Sequence, residues 1–322
     1  MKIARRTVWV GAAVAVVLIV VAAWLVVARL QSTPSNPLED PVLRDHLSGP
    51  GTPLPDGLTV AGGSSLVGPV VRTDAVPEHQ QGARWQALAV VTGEPLEVWR
   101  SYLRQLAAAF PKQKINTSRG YACRPKAERH DGFGCDLYVT GALRSGELVD
   151  ANLSLGSVPR DVTGSYLLSI RFTRLDKPED PDQPDPEPTY RGDPPAPQPA
   201  RDRPESGDLI SDTLPCDDDS CDDFPLLDGS ELLVQYGTGS LTGGFDVLLA
   251  VEDRADLDRV VRGYVEQGTF TGGDTITRTS RHADDVVTTY RPPGGAGGFT
   301  AEITVVDRTS GPDYIWYELW ND

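Results

Sequence analysis

The chain is poor in the side chains that most often do chemistry. It has four histidines, four cysteines and one methionine in 322 residues, and its 30 basic residues are outnumbered by 46 acidic ones. That balance argues against nucleic-acid binding and against a direct grip on anionic lipid or wall polymer. No G-x-S-x-G, S-x-x-K or H-E-x-x-H order occurs, so serine nucleophiles and zinc helices of those kinds are absent. The four histidines are scattered in loop-like sequence, with His46, His79, His130 and His282 all reading as solvated. The glycine-rich GTGSLTG at 237–243 is followed by a strand-like run, not by the helix that a phosphate loop needs. GGAGG at 294–298 reads as a hairpin connection. Carboxylates are so common that no general acid and base pair stands out. The sequence therefore nominates no catalytic residue and no cofactor.

What is present begins with an apolar run that opens at Val8 and closes at Ala28, without a charge or a proline. As a helix rising about 1.5 Å per residue it spans roughly 31 Å, the thickness of a bilayer core. That length exceeds a cleaved signal's apolar region, no cysteine follows for lipid attachment, and neither Val21-Ala22-Ala23 nor the stretch near Val27-Ala28 is a clean A-x-A site, so an uncleaved anchor is expected. Lys2, Arg5 and Arg6 precede the run and Arg29 alone follows it closely, which places the N-terminus in the cytoplasm and the bulk outside the cell membrane. Without those four residues the exported part carries 26 basic against 46 acidic residues, a balance of −20.

All four cysteines then face an oxidising space, where an even number reads as disulfides. The C-x11-C and C-x4-C spacings favour Cys123 with Cys135 and Cys216 with Cys221 over the crossed pairings. Zinc is disfavoured because no C-x2-C spacing occurs. Asp217, Asp218, Asp219, Asp222 and Asp223 surround the second pair and make it a calcium candidate. They lack the D-x-[DN]-x-[DN]-G order and the distal glutamate, so a solvated acidic loop is the simpler reading.

The chain divides by composition. Residues 1–29 are the cytoplasmic end and anchor; 30–55, with six prolines, read as an extended stalk; 176–208, dense in Pro and Asp, read as a disordered linker. Between and after them lie two folded units, 56–175 and 209–322. In the first, strands are predicted over 64–71, 84–91, 114–123, 134–142, 148–155 and 164–173. A helix opens at Pro95, and its apolar Leu96, Trp99, Leu103, Leu106 and Phe110 recur at spacings of three and four. The second unit repeats this order, with a helix carrying Leu257, Val260, Val261 and Tyr264. Collinear pairings include Leu54-Pro55-Asp56-Gly57 with Leu226-Leu227-Asp228-Gly229, Ser65-Leu66-Val67-Gly68 with Ser240-Leu241-Thr242-Gly243, and Leu88-Ala89-Val90 with Leu249-Ala250-Val251. Asp136-Leu137-Tyr138 likewise pairs with Asp285-Val286-Val287, and Tyr166 with Tyr314, as expected of a duplicated strand-strand-helix-strands unit.

The expected fold is thus α+β: a transmembrane helix followed by two similar units, each one helix packed on an antiparallel sheet. The closing strand, Tyr314 to Trp320, carries aromatics on both faces; one face is core, and the other, to which Tyr314, Trp316 and Trp320 belong, either packs on the first unit, the preferred reading, or offers a surface to a partner or a carbohydrate. The expected function is extracytoplasmic binding or scaffolding in the cell envelope, with a basic protein surface as the natural partner. An envelope enzyme with an Asp/Arg/Tyr site at the unit interface, and a spacer without ligand, are the alternatives.

Overall fold

A computed structural model describes residues 36–75, 82–110, 122–125, 133–157, 162–176, 194, 197, 200, 202–210, 225–237, 245–267, 276–291 and 299–321. The expected membrane run, the aspartates flanking Cys216 and Cys221, and most of the linker lie outside the described residues. Among the described residues, no helix is long and apolar enough to cross a membrane.

The strands of the first unit are β1 (Leu47–Ser48), β2 (Ser64–Thr73), β3 (Arg84–Val91), β4 (Ala122–Pro125), β5 (Phe133–Ala142), β6 (Leu148–Ser157) and β7 (Tyr166–Arg174). Those of the second are β8 (Glu231–Gly237), β9 (Phe245–Val251), β10 (Ile276–His282), β11 (Asp285–Arg291), β12 (Phe299–Arg308) and β13 (Asp313–Asn321). A one-turn helix α1 (Pro41–Arg44) precedes them, α2 (Pro95–Ala109) follows β3, and α3 (Arg254–Gln267) follows β9.

Local chemistry explains the helices. Glu94 caps α2, its carboxylate accepting from the Leu96 and Glu97 amides at 3.2 and 2.7 Å, and Pro95 occupies the first turn, where its missing N–H is not needed. Val98, Trp99, Tyr102 and Leu106 form its buried stripe, with Leu96 and Leu103 at the margin. In α3 the stripe is Leu257, Val260, Val261 and Tyr264, the four residues that periodicity selects.

Every strand pairing is antiparallel. The sheets run β1-β2-β3-β7-β6-β5-β4 and β10-β11-β12-β13-β9-β8. With the two-residue β1 set aside, the second order is the first read from its other end, so β2 to β7 correspond one for one with β8 to β13. The two units therefore share one topology.

Side-chain alternation divides the molecule into four layers: helix, sheet, sheet, helix. On β3, Trp85, Ala87, Ala89 and Val91 face α2, whereas Leu88 and Val90 face the second unit. On β13, Ile315 and Tyr317 face α3, and Tyr314 and Trp316 face the first unit. The two sheets thus pack directly on each other. Gly68, in the register shift of β2, lies where an added Cβ would come within 3.0 Å of Leu248 and 3.2 Å of Tyr314; its φ of +66° also suits glycine.

Each unit repeats one polar device. The Tyr102 hydroxyl of α2 accepts from the Ala61 amide at 3.3 Å, and Ser64 donates to the Ala61 carbonyl at 2.9 Å. The Tyr264 hydroxyl of α3 accepts from the Leu227 amide at 3.0 Å, and Ser230 donates to the Leu227 carbonyl at 2.7 Å. Each tyrosine pins its helix to the turn ahead of the unit's first strand.

This equivalence corrects the residue-level pairings. Ala61 to Ser64, not Asp56-Gly57, answers Leu227 to Ser230, and β2 answers β8, not the 240–243 segment. Leu88 faces the other sheet while Leu249 faces α3, so that pairing is out by one residue, the slip that exchanges the two faces of a strand. Tyr166 and Tyr314 differ in the same way.

The segment read as a stalk is folded from Asn36. Asp40 caps α1, accepting from the Val42 and Leu43 amides, and Leu43 is fully buried among Leu233, Val234 and their neighbours in the layer between the sheets. The far end of the linker is also held. Arg203 donates to Asp40 at 2.6 Å and to the β8 carbonyls of Leu232 and Leu233, and just beyond the linker Ile210 is buried under α3. A single buried leucine in the first case and a single arginine in the second, too sparse to show periodicity, decide the outcome.

Candidate functional site between the two sheets

The layer between the sheets is oily at one end and ionic at the other. The ionic end gathers Arg84 and Gln86 of β3 and Arg171 of β7 from the first unit. Asp246 of β9, Arg291 of β11, Glu302 of β12 and Glu318 of β13 come from the second. Glu318, 1% exposed, accepts from Arg84 at 3.1 Å, from Gln86 at 3.0 Å and from Arg171 in a close ion pair. Glu302 is paired with Arg84 and lies 3.6 Å from Arg291. Asp246 accepts from the Trp316 indole at 3.3 Å and lies 4.0 Å from Arg171.

Three buried carboxylates thus meet three guanidiniums, of which Arg171, 33% exposed along its side chain, keeps one side in water. Burial pushes the Asp246 carboxyl up to about 7, helped by the neighbouring negative charge of Glu318. Burial also works against ionisation of Glu318, but Arg171 and Arg84 outweigh it and hold that carboxyl below its ordinary range.

A second polar site lies at the opposite, oily end. His46, read from sequence as a solvated loop residue, is 6% exposed. Its Nδ1 is 3.2 Å from the Tyr314 hydroxyl, its Nε2 is 3.2 Å from Glu252, and its ring meets Tyr314 edge-on with centroids 5.7 Å apart. Burial lowers its pKa against the pull of Glu252, Glu231 and Asp45. Donor atoms of His46, Glu231 and Glu252 all lie within 4.8 Å of one another, the one such metal-competent group among the described residues.

Beside this group a cavity of about 420 Å3 opens between β2 and the β10–β11 turn, with Arg72, His282 and Arg308 on its wall. Another, of about 360 Å3, lies between α3 and strands β11 and β12, lined by Val261, Tyr290 and Val305 among others. Neither is lined by any member of the ionic cluster.

The residues nominated from sequence fall as follows. Tyr314 and Trp316 are 3% and 1% exposed and covered by the first unit's sheet, so they offer no surface to an outside partner. The side chain of Trp320 lies outside the described residues, as do Asp217, Asp218, Asp219, Asp222 and Asp223 with Cys216 and Cys221. Cys123 and Cys135 stand directly opposite each other in the pairing of β4 with β5.

Sequence reading missed the ionic cluster, although a signal existed. Asp246, Glu302 and Glu318 are each the only acid within an apolar strand segment, in FDVLLAV, TAEITVV and YIWYELW.

No protein-family model and no curated protein matches the chain. Among solved structures it is similar to a tesB protein of Mycobacterium avium subspecies paratuberculosis, with 12% identity over 74% of this chain and 93% of that one and a TM-score of 0.15. It is also similar to a conserved protein of unknown function with a hot dog fold from Alicyclobacillus acidocaldarius, with 11% identity, the same coverage and a TM-score of 0.13. Superpositions at that level carry no argument about this chain.

Proposed function

We propose that the chain is a single-pass, membrane-anchored binding or scaffolding module of the cell envelope. In this reading the run from Val8 to Ala28 is the anchor, the N-terminus is cytoplasmic, and the double-sheet body stands outside. The observation that supports a non-catalytic role is the self-neutralised ionic layer: its charged groups are committed to one another, and neither cavity reaches them. Such a layer fixes how two sheets meet, which suits a rigid platform. The acidic balance of the exported part directs it toward a basic protein surface. Disulfides join Cys123 to Cys135 and Cys216 to Cys221; the facing register of the first pair supports this.

Crosslinking the anchored protein in intact cells, followed by identification of what is captured, tests the reading. A specific basic partner is expected. Recovery of the chain alone, or protection of the body from protease added outside, would sink it.

One observation favours the enzyme alternative. Asp246, held near neutrality beside Arg171 at the unit interface, is the kind of group that active sites create.

A further inference from the structure

We propose that His46, Glu231 and Glu252 bind a divalent first-row transition ion of the zinc class, which clips the segment ahead of the first unit to the second unit. The proposal is independent of membrane anchoring and of any partner.

The geometry comes from the hairpin of β8 and β9. Glu231 opens β8 and Glu252 directly follows β9, and because these strands run antiparallel both carboxylates stand at one end of the hairpin. His46, just after α1, reaches that end from the first unit's side. One imidazole nitrogen and two carboxylate oxygens within 4.8 Å of one another make a mixed nitrogen and oxygen set. A tetrahedral ion with bonds of about 2.0–2.2 Å holds its ligand atoms roughly 3.4 Å apart. His46 and Glu252 are already 3.2 Å apart, and Glu231 is exposed at a strand end, where its side chain has freedom to close the remaining distance. Such a set suits zinc and its neighbours in the series better than calcium, which takes six or more oxygens.

Two further observations point to a cation. First, the imidazole is held as a metal ligand is held: it is buried, and Nδ1 meets the Tyr314 hydroxyl, so Nε2 is the nitrogen presented to the carboxylates. With an ion on Nε2, the proton moves to Nδ1 and is donated to the Tyr314 oxygen, the outer-shell arrangement usual for metal-bound histidine. Second, the local charge is unbalanced. Among the described residues neither glutamate has an arginine or lysine partner, and the one cation that influences His46, Arg203, is committed to Asp40. A buried neutral imidazole beside two carboxylates that no arginine or lysine neutralises is an incomplete electrostatic arrangement, and a divalent ion completes it.

The test is calorimetric titration of the full chain in detergent with Zn2+, paired with Co2+ titration followed by visible absorption. One ion per chain is expected, with Co2+ giving the d–d bands of a low-coordinate nitrogen and oxygen site. The double variant E231Q/E252Q should lose saturable binding while it stays folded, with a wild-type near-ultraviolet circular dichroism spectrum and a single cooperative unfolding transition, since both side chains are exposed. Y314F should weaken binding by about tenfold or more. A variant with Asp217, Asp218, Asp219, Asp222 and Asp223 changed to asparagine should bind as wild type does. Absence of a stoichiometric ion, binding that survives E231Q/E252Q, or binding abolished by the asparagine changes would each overturn the proposal.

Discussion

Replacing Glu318 with leucine removes the one acceptor shared by Arg84, Gln86 and Arg171, all donors from the opposite sheet. Arg84 would keep Glu302, but Arg171 would be left with only the 4.0 Å contact to Asp246, which is itself near neutrality. Because the Arg171 side chain is 33% exposed and keeps part of its hydration, stranding it costs less than a fully buried pair would, about 2–3 kcal/mol, still a large share of the roughly 5–15 kcal/mol that holds a typical domain together. The assay is urea unfolding followed by tryptophan fluorescence, because Trp85 and Trp99 report from the core beneath α2 and Trp316 from the layer between the sheets. Wild type should unfold in one transition, since the units share the apolar layer between the sheets. E318L should move the midpoint down by about 1 M or more, with no rescue by added salt because a buried pair is poorly screened. The triple variant R84M/R171L/E318L should recover most of the loss, since apolar replacement of a whole buried ionic group is close to neutral. A loss under about 1 kcal/mol in E318L, or two separate wild-type transitions, would refute the claim that this layer locks the units together.

Other outcomes follow from the same physics. Y102F and Y264F each leave a backbone amide without its acceptor, so each should lose about 1–2 kcal/mol, and the two losses should add because they lie in different units; denaturant titration of the two single variants and the double decides. Gly63 has a φ of +79° and stands where an added Cβ would lie 3.2 Å from both the Gly93 Cα and Val98; G63A should therefore destabilise by more than about 1 kcal/mol, against a near-neutral G49S at an exposed position without a positive φ or a neighbour within 4 Å. His46 has a folded pKa below its ordinary 6.5, so the folded state resists its protonation: its contribution is complete above that value and is lost as pH falls through it. Melting from neutral to mildly acidic pH should show that loss in wild type and less of it in H46Q. Asp246 acts in the opposite sense. Its raised pKa stabilises the folded state at low pH and the benefit is lost as pH climbs from 3.8 to about 7, so D246N should gain on wild type across that window.

Much of the fold could be read from the chain because one face of each element follows a simple rule. The helix opening at Pro95, the strand over 84–91 and the strands over 134–142 and 148–155 lie within a residue or two of their predicted bounds, since each alternates or recurs against a single core. The order of elements also exposed the shared topology, because that order can be read without the exact register of each strand. What could not be read was the second face. A lone glutamate in YIWYELW has the signature of a solvent-facing position, and only the other unit's arginines, about 150 and 230 residues away in the chain, make burial tolerable. The same holds for His46. Its neighbours in sequence are those of a loop, and its partners Tyr314 and Glu252 belong to the far unit. A charge on a strand can therefore be assigned to water or to an interface only when the facing sheet is known, and in a duplicated chain that sheet is supplied by the chain itself. The loss of one-residue register in the sequence pairings has the same origin: both faces of these strands are apolar, so the alternation that normally fixes register is weakened at the positions where the two units meet.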